Sequence, residues 1–236
     1  MPETRKPFVV ALDGPAGAGK STVARRLAQA FGFTLLDTGA IYRTVALAAE
    51  RAGIGFDDER RLVALATDLT ANRRLILQPT AGSGMRVVLD GEPLGDELRT
   101  PNISMGASTV SAIGGVRVAL LELQRSFASG VQGLVAEGRD IGTVIFPDAD
   151  VKIFLTASVA DRASRRFPEF SAKDPTYTLE RTRDSVVARD AQDESRPVAP
   201  LRKADDAIAV DSTGQDAETT IRDVIEIVRR ARGAER

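Results

Sequence analysis

Gly14, Pro15, Ala16, Gly17, Ala18, Gly19, Lys20 and Ser21 form the pattern Gly-x4-Gly-Lys-Ser, the spacing of a phosphate-binding loop. Glycines at these positions let the backbone curl until successive N–H groups face one concavity. A helix opening at about Gly19 adds the positive end of its dipole. In such a loop Lys20 reaches the β- and γ-phosphates, Ser21 takes a place on Mg2+, and Thr22 extends the binding run. The motif points to a nucleoside triphosphate such as ATP. It does not choose between a kinase, a hydrolase and a switch.

Three further clusters have the chemistry of anion binding. In Leu36-Asp-Thr-Gly-Ala-Ile-Tyr-Arg43 a strand runs into a helix, and strand C-termini of such sheets face the ligand crevice. Thr38 there also reads as a plain helix N-cap. Arg43, placed near the start of the helix, opposes the macrodipole and so calls for an anionic partner. Glu137-Gly-Arg-Asp-Ile-Gly142 again follows a strand and presents Arg139 and Asp140; a salt-bridged turn is the bland alternative. Arg189, Asp193 and Arg196 fall at i, i+4 and i+7 on one helical face, with Pro197 ending the helix at Arg196. A solvated, ion-paired face has the same spacing.

Composition narrows the chemistry. The 236 residues contain no His, Cys or Trp, so imidazole bases, thiolates, disulfides and His- or Cys-bound metals are excluded. What remains is carboxylates, hydroxyls, Lys, Arg, backbone amides and a hard metal held by oxygens. The net charge of −1 argues against broad nucleic-acid binding. Only five of the 32 basic residues are Lys, an Arg excess that suits both a compositional bias and bidentate grip on phosphate. No apolar run approaches a membrane span, so a cytoplasmic protein without membrane or nucleic-acid partners is expected.

The elements that must hold these residues alternate. Phe8–Leu12 reads as a buried strand, followed by a helix from about Gly19 to Phe31. A strand over 33–36 and a helix over 40–50 come next, a βαβα order that predicts a parallel sheet. Leu75–Leu77 and Arg86–Leu89 read as short strands around a turn-rich loop over 79–84. Asp90 and Gly91 suggest a further hairpin, so 68–103 is expected to be a small antiparallel inserted lobe. Helical spacing returns at Val116, Leu120, Leu123 and Phe127. Core strands follow over 134–136 and 151–155, and a last strand and amphipathic helix close the chain. The charged stretch 159–203, with a helix over 178–194 poorly suited to deep burial, reads as a mobile lid.

Two absences bear on function. There is no Asn-Lys-x-Asp tetrapeptide of a guanine-reading switch, and no obvious apolar strand ending in the carboxylate pair of motor-type ATPases. A small-molecule kinase fits better, since a lid excludes water from the transferring phosphoryl group.

Taken together, Gly14–Ser21, Leu35–Arg43, the run Glu137-Gly-Arg-Asp-Ile-Gly-Thr-Val-Ile-Phe-Pro147 and the pattern Arg189-Asp-x-x-Asp193-x-x-Arg196 resemble the bacterial cytidylate kinases. Val198–Leu201 and Asp211–Thr213 fit as well, and the resemblance runs from Phe8 into the C-terminal helix. It implies an α/β P-loop three-layer sandwich with a parallel five-stranded core sheet, over 1–67, 104–158 and 204–236. A nucleoside-monophosphate lobe over 68–103 and a helical lid over 159–203 complete it. The implied reaction is ATP- and Mg2+-dependent transfer of the γ-phosphoryl group to CMP or dCMP, by a monomer. Carried over position by position, Arg43 and Arg139 hold the CMP phosphate. Thr38, Arg117, Asp140 and Arg196 surround cytosine, and Ser108, Arg189 and Asp193 lie near the sugar. Lys20, Arg139, Arg189 and Arg196 are the implied catalytic set. Cytosine offers an amino donor to Asp140, where uracil would present a carbonyl. Two departures stand out: Thr38 replaces the Ser common in the family, and Gln192 stands where some members have Arg. The rival readings are a kinase of UMP or of a coenzyme precursor, and a nucleotide-binding switch.

Overall fold

The structure, a computed structural model, describes residues 6–80, 84–172 and 174–234. Five parallel strands form its centre in the order β2-β6-β1-β7-β8: β1 Phe8–Asp13, β2 Thr34–Asp37, β6 Gly133–Glu137, β7 Val151–Thr156 and β8 Ile208–Asp211. β1 and β6 are almost wholly buried, as their continuous apolar runs require of a sheet covered on both faces. One face packs α1 Lys20–Phe31 and α8 Ala217–Ala234 around Val23, Leu27, Ile221, Val224 and Val228. The other buries α2 Thr38–Arg51, α3 Glu59–Ala71, α4 Pro101–Ala112 and α5 Gly114–Ser126 around Ile41, Leu62, Ile103 and Leu120. The three-layer sandwich expected from the sequence is therefore present.

The small antiparallel sheet is also there, as β3 Leu75–Thr80, β4 Gly84–Leu89 and β5 Glu92–Pro93, in register from Leu75 opposite Leu89 to Thr80 opposite Gly84. Of the turn expected over 79–84, residues 81–83 lie outside the described residues. The lobe's inner side chains, Leu75, Val87, Leu89 and Leu98, join the same apolar cluster as α2 and α5. The boundaries expected at 68 and 104 fall inside α3 and α4, two helices that run through the junctions and that the strand signals had masked.

Two helices, α6 Val159–Ser171 and α7 Leu179–Ser195, make the charged hairpin. α7 is better buried than its composition suggests: Thr182, Val186 and Asp193 are all enclosed, because the helix lies against α6 and reaches the core. It ends at Ser195, with Arg196 at its C-cap, where Pro197 stops it. Among the described residues no single helix is long and apolar enough to cross a membrane.

Leu134, fully enclosed in β6 between β2 and β1, should be among the costliest truncations. Leu134→Ala should lower stability by about 2–5 kcal/mol, read as a lower urea midpoint at unchanged slope.

Candidate functional site

β1, β6 and β2 are neighbours in the sheet, and the chain leaves each C-terminus into a segment bearing a candidate motif. After β1 the loop Gly14–Gly19 turns into α1. Gly14 takes φ +146° with its Cα so close to β7 that a Cβ would stand 1.9 Å from the Leu155 carbonyl oxygen. No other residue fits there. Gly19, at φ +94°, caps α1, and the Thr22 N–H closes the first turn onto its carbonyl at 3.1 Å. Lys20 is buried, and its Nζ donates to the Pro15 carbonyl at 2.8 Å, folding the ammonium over the loop.

After β2, Asp37 is the N-cap of α2, accepting from the Ala40 N–H at 3.1 Å. The cap reading of Thr38 is thus corrected: Thr38 is the first residue of a helix that starts earlier than its apolar pattern shows. Its buried hydroxyl donates to the Glu137 carbonyl at 2.8 Å and ties β2 to β6. The earlier start puts Arg43 two residues further into the helix than expected. Its Nη2 meets Asp37 at 2.8 Å, and its Nε is buried with no partner.

After β6, Glu137 ends the strand beside Asp37 and receives the Ser21 hydroxyl at 2.8 Å. Burial first, and then the neighbouring Asp37 carboxylate, push Glu137 up to about 7. Arg139 donates its Nε to Asp193 of α7 at 2.8 Å. Asp140 is buried against Arg117 of α5, which also donates to the Ser111 carbonyl at 2.9 Å and lies over the Tyr42 ring at 5.2 Å.

From above, α7 brings Arg189, Gln192 and Asp193 down onto these strand ends. Ser108 Oγ donates to Gln192 Oε1 at 3.0 Å, and Arg196 donates to the Asp193 carbonyl at 3.2 Å. Arg189 Nε and Arg196 Nη2 are buried without partners. Burial, and then the adjacent Arg139, push Arg189 down to about 9 and hold Lys20 well below the ordinary lysine range. Asp193 moves the other way: burial would raise it, but Arg139 and Arg196 together hold it below the usual carboxylate range. The expected residues therefore surround one cleft, and it carries more positive charge than its carboxylates neutralise. Ser108, the least certain by helix register, contacts the lid from the rim.

Sequence reasoning gave no role to several residues here. The carboxylates sought as a pair on one strand arrive singly on neighbouring ones, Asp13 ending β1 and Glu137 ending β6. Arg162 was not singled out at all. Its buried guanidinium joins the Ala16 carbonyl of the loop, at 3.1 Å, to Asp190 of the lid, at 2.6 and 3.0 Å. The lone signal was the Arg-x-x-Arg-Arg run of α6, which reads equally as a solvated face.

The cytidylate kinase family model matches residues 10–231. The chain belongs to the cytidylate kinase family. It is 48% identical over 225 residues to the cytidylate kinase of Geobacter sulfurreducens, covering 95% of this chain and 94% of that protein. To the cytidylate kinase of Pseudomonas aeruginosa it is 44% identical over 217 residues, or 92% and 93% of the two chains. In fold it is similar to an uncharacterised protein of Eubacterium ventriosum, with a TM-score of 0.53 at 11% identity over 94% of this chain and 98% of that one. Family membership makes the chain an ATP-dependent nucleoside monophosphate kinase acting on cytidylate, rather than a switch or a kinase of another acceptor.

The raised acids give a pH signature. Asp13, lifted by burial to about 6, and Glu137, at about 7, bind protons more tightly folded than unfolded. Stability of the ligand-free protein should therefore fall as pH rises from about 4 to about 7. In urea titrations, Glu137→Gln should flatten the upper part of that fall.

Proposed function

We propose that the cleft transfers the γ-phosphoryl group of ATP to CMP or dCMP in the following way. The observation that carries the reading is the set of buried guanidinium nitrogens without partners, Arg43 Nε, Arg189 Nε and Arg196 Nη2, on residues that all lie close to Arg139 or to one another. Buried polar groups are normally satisfied, so these imply an anionic ligand. Gly14–Gly19, Lys20, Ser21 and Thr22 would hold the ATP phosphates, and Arg43 and Arg139 the acceptor phosphate. Asp140, Arg117, Thr38 and Arg196 would read the base, with Ser108, Arg189 and Asp193 at the sugar.

An oxygen of the CMP phosphate attacks the γ-phosphorus, the bond to the β-phosphate oxygen breaks, and ADP leaves with that oxygen's charge. The acceptor is already an anion, so no general base is required, which suits a chain without His. Lys20, Arg139, Arg189 and Arg196 stabilise the charge spread over the moving group. Arg189, whose buried Nε has no hydrogen-bond partner, gains one from that anion.

Mg2+ fits the donor set. Among the described residues no group of three or more acidic side chains could cage a metal alone. Ser21 Oγ and the Glu137 carboxylate, 2.8 Å apart, are hard oxygen donors at the loop. Magnesium is commonly held by one or two protein oxygens with water and substrate phosphates. When bound it would neutralise charge on the β- and γ-phosphate oxygens. Functionally the molecule divides into core, acceptor lobe and lid, and acts on small nucleotides.

The test is ADP release in a coupled assay with CMP, dCMP, UMP and AMP as acceptors. CMP and dCMP should be turned over, and UMP and AMP should be poor. ADP release indifferent to every acceptor would sink the reading. Asp140→Ala should lower kcat/KM for CMP by about a hundredfold while changing ATP affinity little.

A further inference from the structure

We infer that Asp13 and Arg125 are positioning residues that clamp the turn presenting Asp140 and so set discrimination between cytosine and uracil. The inference rests on the reading that Asp140 recognises the base.

Asp140 stands immediately before a single wide helical turn, Ile141–Ile145, whose Val144 and Ile145 N–H groups return to the Asp140 carbonyl at 2.9 and 3.1 Å. In so short an element the first N–H groups, like those of any helical turn, lack intrahelical partners. Asp13 supplies them from a strand 128 residues away. One carboxylate oxygen accepts the Ile141 N–H at 2.8 Å, and the other accepts the Gly142 N–H at 2.7 Å. The opposite end is held too. Arg125 of α5 donates Nε to the Ile145 carbonyl and Nη2 to the Val144 carbonyl, both at 3.0 Å.

An anion therefore sits at the N-terminus of the turn and a cation at its C-terminus, the arrangement its backbone dipoles favour. Within the turn the Thr143 hydroxyl is buried with no partner and adds nothing to this arrangement. Neither clamp reaches the base pocket. Asp13 is 5% exposed and occupied by the two N–H groups, while Arg125 lies on the outer side of α5. They fix where Asp140 points, and Arg117 of the same α5 faces it as the second half of the base-reading pair. A carboxylate free to swing could accept from water when uracil is bound. A clamped one cannot avoid the uracil carbonyl.

The experiment compares kcat/KM for CMP and for UMP, with KM for ATP, in Asp13→Asn, Arg125→Met and Asp140→Asn, alone and combined. An Asn at position 13 keeps the shape but offers one acceptor for two N–H groups. The CMP-to-UMP ratio should fall about tenfold in Asp13→Asn and less in Arg125→Met, with KM for ATP in Arg125→Met changed by less than about threefold. Adding Asp13→Asn to Asp140→Asn should lower the ratio no further, because the first acts through the second. Equal losses for both acceptors at an unchanged ratio, or a loss confined to ATP, would overturn the inference. Should Asp13→Asn fail to fold, Arg125→Met, at a part-exposed surface position, decides: an unchanged ratio refutes the clamp. A ratio unmoved by Asp140→Asn refutes base recognition itself, which keeps the two failures distinct.

Discussion

Positive charge confined in a closed cleft is the constraint from which the rest of the structure follows. Lys20, Arg43, Arg139, Arg189 and Arg196 crowd together near three strand ends, and burial deprives Lys20, Arg189 and Arg196 of solvent while the neighbouring guanidinium groups add repulsion. Such a cluster is tolerable only with partial compensation, and each compensating group is visible. Asp37 meets Arg43, Asp193 meets Arg139, and the Pro15 carbonyl receives Lys20. The compensation is incomplete by design of the chemistry: a fully neutralised cleft would have nothing left with which to hold two nucleotides and the charge passing between them. Asp13 and Glu137 are lifted toward neutrality in the same enclosure, so burial there makes acids more neutral and bases less basic at once.

The hairpin of α6 and α7 belongs to this electrostatic scheme as well. Its contacts with the core include many charged or polar ones: Asp193 with Arg139, Arg162 with the Ala16 carbonyl, Gln192 with Ser108. Contacts of this kind can be exchanged for ligand contacts at small net cost, whereas an apolar seam would hold the hairpin down regardless of occupancy. Arg162 of α6 touches the phosphate-binding loop and also Asp190 of α7, so the position of the loop bears directly on the packing of the two helices.

The parallel sheet, the inserted hairpin sheet and the closing helical hairpin were all legible in the sequence, because apolar runs, glycine turns and a change of periodicity mark them locally. α3 and α4 were less so. α4 mixes small and polar residues and has little amphipathic contrast, so its helical character comes from packing rather than pattern. In the site, glycine spacing and the Arg-Asp motifs pointed to most of the residues that meet in the cleft. Asp13, Arg125 and Arg162 were not legible as participants. Each acts on backbone groups far away in the chain, and such a partner leaves no periodic or motif signal. Thr38 shows the same limit from the other side: its hydroxyl joins two strands, although its position suggested a cap.

The order β2-β6-β1 has one more consequence. The loop that takes the donor phosphates follows β1, the residues that face the acceptor follow β6 and β2, and neighbouring strands stand about 4.8 Å apart. On the proposed placement of donor and acceptor, the separation of their anchoring segments is set by one or two backbone spacings common to every sheet, and not by side chains alone. Substitutions can change which base is admitted, or how tightly, without touching that spacing. A fold of this kind can diversify its acceptors while leaving those anchoring segments where the hydrogen-bond ladder put them.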